Sequence, residues 1–168
     1  MHASEKSTLT QTSLVDSLTR LVGTWTTEAT HPAMPGVIVH GSATFEWLEG
    51  QRFLLSRART DHPKFPDSLC VIGRMGQDRV GGADGSVQTN ADEAPIQMHY
   101  FDSRGVFRIY DVSMDDSTWR WWRNAPGFSQ RFVGLISADG NTINGSSELC
   151  RDDVHWADDL QITYRRQT

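Results

Sequence analysis

Between residues 99 and 132, side chains able to hold a ligand or move a proton recur at every second position. They are His99, then Arg108 and Tyr110, then Trp119, Trp121 and Arg123, then Phe128, Gln130 and Phe132. In an extended chain alternate residues share one face, so each run would present its set on a single side. Two guanidinium groups held together bind an anion through charge-assisted hydrogen bonds. A tyrosine and a glutamine orient it, and the rings wall an apolar body. His99, with an unperturbed pKa of about 6.5, could exchange a proton with Tyr110 beside it. Two readings arise: a binding site of Arg108, Arg123, Trp119, Trp121, Phe128, Gln130, Phe132 and Tyr164, or catalysis in the same pocket with His99 and Tyr110 as acid and base.

The elements that must position these residues are strands. Only the stretch from Gln11 to Gly23 has helical spacing, with Leu14, Val15, Leu18, Leu21 and Val22 three or four apart. Beyond it the pattern changes to period two, interrupted by turn signals at LEGQ, DSRG, MDDS, NAPG and ADGN. About ten strands in series with no helices between them imply a closed up-and-down antiparallel barrel that removes its own sheet edges. The expected organisation is a disordered tail over residues 1–11 and a single barrel domain over 12–168. The polar, glycine-rich stretch 76–94 reads as a long mobile loop. His62, Pro63, Phe65 and Pro66 form a stiff loop at one mouth, either a gate or a plug.

Turn placement sets a testable register. Ser103 and Arg104 as a two-residue turn would pair His99 with Arg108. Asp115 and Asp116 would pair Arg108 with Arg123, and Asp111 with Arg120 on the outside. Ala125 and Pro126 would bring Phe128, Gln130 and Phe132 inward, and Asp139 with Gly140 would set Arg131 against Glu148 outside. The inward set then gains Leu160, Ile162 and Tyr164 from the last strand. Two arginines in a low-dielectric lumen need a counter-charge: a bound anion, or an internal carboxylate such as Asp158 or Glu46. The rings either line a pocket or fill the core, and Trp122 faces outward as a contact for a homodimer.

The segment VGTW, Val22 to Trp25, follows a short helix and opens the first strand, and in this it resembles the G-x-W signature of lipocalins and other calycin barrels. That resemblance implies that Trp25 closes the barrel floor beneath an arginine of the last strand, Arg165 or Arg166. The wider pattern, with FEWLEGQRFLL, HYFDSRGVFRIY and DLQITYRR, is similar to small bacterial calycin-like proteins related in shape to nitrobindins and fatty-acid-binding proteins. Fatty-acid-binding proteins hold a carboxylate with arginines and a tyrosine, so the resemblance implies an anionic amphiphile here. Nitrobindins ligate haem through a histidine near the C-terminus, for which His155 is the positional counterpart. It stands among Asp152, Asp153, Asp158 and Asp159, a poor surround for a haem's own carboxylates, so no cofactor is expected.

Composition narrows the classes. A formal net charge of -5 over 168 residues argues against nucleic acid as a partner, which would need a surplus of Lys and Arg. No apolar run approaches the length of a membrane span, and the N-terminus lacks a secretory pattern, so the expected location is the cytoplasm. Cys70 and Cys150 are far apart, which suggests neither a disulfide framework nor a zinc site. The acidic turn around His155 is a solvated surface or a weak calcium or magnesium site without EF-hand spacing. GxSxG, HExxH and nucleotide-binding glycine motifs are absent. The expected function is therefore binding of a small, partly apolar, anionic molecule, with a cofactor-free lyase or isomerase as the alternative.

Overall fold

The structure, a computed structural model, describes residues 14–76, 78–80, 87–89 and 92–168; the expected tail over 1–11 lies outside them. A short helix, α1, covers 14–19 and unwinds through i to i−3 hydrogen bonds at Arg20, Leu21 and Val22. The strands are β1 (Gly23–Thr30), β2 (Val39–Trp47), β3 (Phe53–Thr60), β4 (Ser68–Arg74), β5 (Asp78–Val80), β6 (Val87–Thr89), β7 (Ile96–Asp102), β8 (Phe107–Met114), β9 (Thr118–Arg123), β10 (Ser129–Ile136), β11 (Thr142–Cys150) and β12 (Trp156–Arg166). Ten of them close into one antiparallel barrel in the order β1-β12-β11-β10-β9-β8-β7-β4-β3-β2. The 76–94 stretch is not wholly loop: β5 and β6 pair there as a small two-stranded sheet.

The helix end of the barrel is sealed. Leu18, Leu21 and Trp25 are buried together there, each 1% exposed or less. The Trp25 indole nitrogen donates to the Leu21 carbonyl at 2.8 Å. Of the two candidate arginines it is Arg166 that lies over the Trp25 ring, at 4.1 Å. Its guanidinium donates to the carbonyls of Arg20 and Val22, just past the helix end where carbonyls are left unpaired, and to that of Gly140 in the β10–β11 turn. Arg165 points outward to Glu28. The opposite end carries the loops 31–38, 61–67, 103–106, 124–128 and 151–155, and forms the mouth.

The register departs from expectation at one hairpin in a way that matters. Between β7 and β8, Tyr100 pairs with Arg108, Met98 with Tyr110 and His99 with Ile109. The turn has three residues, because Gly105 adopts a left-handed conformation (φ 81°) and adds one position to the loop. A one-residue slip turns every side chain over. His99 is therefore on the outer face, edge-on to Phe107, and Tyr100 stands in the lumen instead. At β8–β9 the shift is two residues, which preserves faces: Val112 pairs with Trp121 and Asp111 with Trp122. The expected Asp111–Arg120 pair does not form, since Arg120 reaches Asp115 at 3.4 Å and Asp111 accepts from Gln97. Nor do Arg108 and Arg123 face each other across strands. The β10–β11 hairpin matches expectation residue for residue, with Ile136 opposite Ile143 and the Arg131–Glu148 ion pair outside.

Candidate functional site

The inner wall has two contrasting sides. On β7 to β10 it is aromatic, and the rings form a continuous series. Tyr100 meets Tyr110 at 6.3 Å, Tyr110 meets Trp121 at 4.7 Å, and Trp121 stacks on Phe132 at 5.0 Å. Phe132 meets Trp119 at 5.2 Å, and Trp119 meets Tyr164 of β12 at 6.3 Å. On β1 to β4 and β11 several inward positions are small, Thr27, Ala29, Ala43, Ser56, Cys70 and Gly145, while Phe45, Leu54, Ile72 and Ile143 pack toward the floor. Gly145 must be small, because a Cβ there would come within 2.5 Å of the Phe132 ring. Trp121 and Tyr164 keep accessible surface although their cross-strand neighbours Phe132, Val112, Ile143 and Thr27 are buried. That surface faces the lumen.

At the mouth the two arginines converge on one residue. The Arg108 guanidinium lies 4.9 Å from the centre of the Phe128 ring and 5.9 Å from that of Tyr100. Arg123 donates to the Phe128 carbonyl at 3.1 Å. Phe128 closes the loop 124–128, which is tied to the next loop by the Gly127 amide donating to Asp153. Neither Glu46 nor Asp158 answers the arginine charge: Glu46 pairs with Arg57, and Asp158 is exposed opposite Glu148. Among the described residues Arg108 and Arg123 have no carboxylate partner.

The acids at this rim are already engaged. Asp102, its side chain fully shielded, accepts from Arg104 at 2.6 Å and from the Tyr100 hydroxyl at 2.9 Å. The Arg104 guanidinium, above all, holds the Asp102 carboxyl well below the usual carboxylate range, with Tyr100 and two backbone amides assisting against desolvation. Asp159 of β12 meets His31 Nε2 at 3.0 Å and accepts from Ser147 at 3.3 Å. His31 Nδ1 accepts from the Ala33 amide, so Nε2 carries the hydrogen that Asp159 receives. Phe65, from the loop foreseen as gate or plug, packs edge-on against both His31 and His62.

Deeper in, the Tyr110 hydroxyl donates to Gln130 Oε1 at 2.7 Å. Burial raises the Tyr110 pKa, with the charges of Arg108 and Arg123 pulling the other way. Burial likewise raises that of Tyr164 and pushes the Cys70 thiol up to about 12.

The structure thus brings together Arg108, Tyr110, Trp119, Trp121, Arg123, Phe128, Gln130, Phe132 and Tyr164, and removes His99. Catalysis by a His99–Tyr110 pair is corrected with it, because the two occupy opposite faces of the sheet. Sequence reasoning missed Tyr100; the signal was Gly105, whose left-handed turn lengthens the loop. His155 is 83% exposed at a loop tip, with Nδ1 on Asp152 at 2.6 Å. No group of three or more His, Cys, Asp or Glu side chains converges among the described residues. Trp122 is half-buried on the outer face, whereas Phe101 and Phe107 are the exposed rings there, stacked at 5.1 Å. No described helix is long and apolar enough to cross a membrane.

No family model matches the chain, and no curated protein matches it. Among solved structures it is similar to the crystal structure of Rv2717c from M. tuberculosis, with a TM-score of 0.59 and 14% identity over 92% of this chain and 97% of that one. At that identity the likeness concerns the fold.

Proposed function

We propose that the barrel binds a small, partly apolar organic anion in its lumen, entering at the end away from α1. One observation carries this reading: Arg108 and Arg123 meet at Phe128 inside the mouth, half-buried, with no carboxylate partner among the described residues. Desolvating two like charges without a counter-charge is costly, and the acids of the same rim are committed elsewhere. A bound carboxylate supplies what is missing. Gln130, fixed by Tyr110, orients the anion, and Trp121, Phe132 and Trp119 enclose its body.

A calycin-like kinship fits the order helix, G-T-W, barrel, and the Arg166 stack on Trp25. Two free, buried cysteines suit a reducing compartment such as the cytoplasm. With His99 outside and the Tyr110 proton given to Gln130, the lumen favours binding over acid-base chemistry.

Displacement of 1-anilinonaphthalene-8-sulfonate tests the reading. Cinnamate should displace the dye and cinnamamide should not, because only the former carries the charge that the arginines seek. Equal displacement by both would sink the proposal.

A further inference from the structure

The deep end of the lumen is floored by apolar side chains such as Leu54, Ile72 and Ile143, yet it also carries hydroxyl groups. Tyr164 and Thr27 are direct cross-strand partners on β12 and β1, and both face inward. Thr27 is 8% exposed, as is the inward-facing Ser56 on β3. Among the described residues none of these three hydroxyls makes a side-chain hydrogen bond. Nor are they sealed away: the fully enclosed, unpartnered side-chain nitrogens and oxygens are Arg20 Nε, Arg74 Nε and Trp119 Nε1 alone among those residues. The hydroxyls therefore open onto space within the barrel. Gly41 helps to keep Thr27 uncovered, since a Cβ there would lie 2.9 Å from its Oγ1.

The route from the mouth to this end is the ring series from Tyr100 through Tyr110, Trp121, Phe132 and Trp119 to Tyr164. A wall of rings opposite a wall of small side chains makes a slot for a flat body. An alkyl tail lying there would strip water from Tyr164, Thr27 and Ser56 and return no hydrogen bond. A ligand polar at both ends loses nothing.

We propose that the lumen takes an aromatic carboxylic acid bearing a hydroxyl group at the far end of its ring, the carboxylate at Arg108 and Arg123 and the hydroxyl between Tyr164 and Thr27. The assignment rests on the anion reading above and adds the chemistry of the opposite end. A hydroxyl fits because it can donate to one of the two protein hydroxyls and accept from the other.

Calorimetric titration with 4-hydroxycinnamate, cinnamate and decanoate tests it, using the full chain and the variants Tyr164→Phe, Thr27→Val, Thr27→Ser and Arg108→Met. The unmodified protein should prefer 4-hydroxycinnamate to cinnamate by about ten-fold or more, the factor of one good hydrogen bond, with decanoate weakest. Tyr164→Phe and Thr27→Val should each reduce that preference several-fold, and Thr27→Ser should retain it. Equal affinity for the two cinnamates, or tightest binding of decanoate, overturns the proposal. If Arg108→Met weakens all three acids but Tyr164→Phe changes nothing, the anion reading stands and this inference fails. If Arg108→Met leaves all three unchanged, the anion reading itself fails. Should Tyr164→Phe not fold, the Thr27 pair of variants decides the matter by the same criterion.

Discussion

Tyr110 on β8 and Gln130 on β10 are joined across the intervening strand β9 by a 2.7 Å hydrogen bond, and both are buried. The bond consumes the tyrosine's only proton and fixes which end of the glutamine amide faces the arginines. Tyr110→Phe removes the donor and leaves Gln130 Oε1 unsatisfied in a shielded site. The expected cost is about 1 to 3 kcal/mol, read by urea unfolding. Anion affinity should fall as well, because Gln130 is then free to turn. An unchanged midpoint would mean that the bond contributes nothing to the folded state.

Asp102 gives the mouth an acid-sensitive element. Its carboxyl is held below the usual range, first by Arg104. A depressed folded-state pKa means that the stabilisation is complete above the unfolded value of about 3.9 and is lost as pH falls below it toward the lower folded value. Asp102→Asn should therefore be less stable than the unmodified protein at pH 6, and the gap should narrow steadily below about pH 4. Parallel pH profiles of the two proteins would contradict the pairing.

The sealed floor depends on Arg166. Arg166→Met would keep much of the side-chain bulk over Trp25 but would abandon the carbonyls of Arg20, Val22 and Gly140. A loss of about 2 to 4 kcal/mol follows from leaving buried acceptors unpaired. Arg165→Met should cost far less, because its pair with Glu28 is on the surface. Thermal melts of the two variants separate the roles, and equal losses would refute them.

Gly145 marks where the aromatic wall meets the small one. Gly145→Ala places a methyl 2.5 Å from Phe132, whose ring is held flat against Trp121. The expected result is destabilisation by about 1 to 3 kcal/mol, together with a change in tryptophan fluorescence as the stack shifts. If stability and spectrum both survive, the wall is looser than its geometry implies.

How much of this was legible in the sequence depended on the turns. The β10–β11 loop, residues 138–141, is centred on Asp139 and Gly140, so a turn counted from that centre has the right register, and Arg131 met Glu148 as expected. At Asp116 and Ser117 the error was two residues, harmless to the faces because the side-chain period is also two. At Ser103–Arg104–Gly105 it was one residue, enough to put His99 outside and Tyr100 inside. The fold survived both errors, since hydrophobic alternation defines strands independently of their pairing. Contacts such as Arg123 to the Phe128 carbonyl, or His31 to Asp159, could not be foreseen. The first is made by backbone in a loop, and the second joins residues 128 positions apart.

The central claim is that Arg108 and Arg123 await an anion, and the most direct measurement is calorimetry of cinnamate binding to Arg108→Met and Arg123→Met. Each variant should bind about 1.5 to 3 kcal/mol more weakly, the scale of a charge-assisted hydrogen bond. In the absence of ligand Arg108→Met should melt no lower than the unmodified protein, because methionine carries no charge to desolvate, whereas Arg123→Met also gives up the bond to the Phe128 carbonyl. Undiminished affinity in both variants would contradict the account and leave the arginines as rim structure alone.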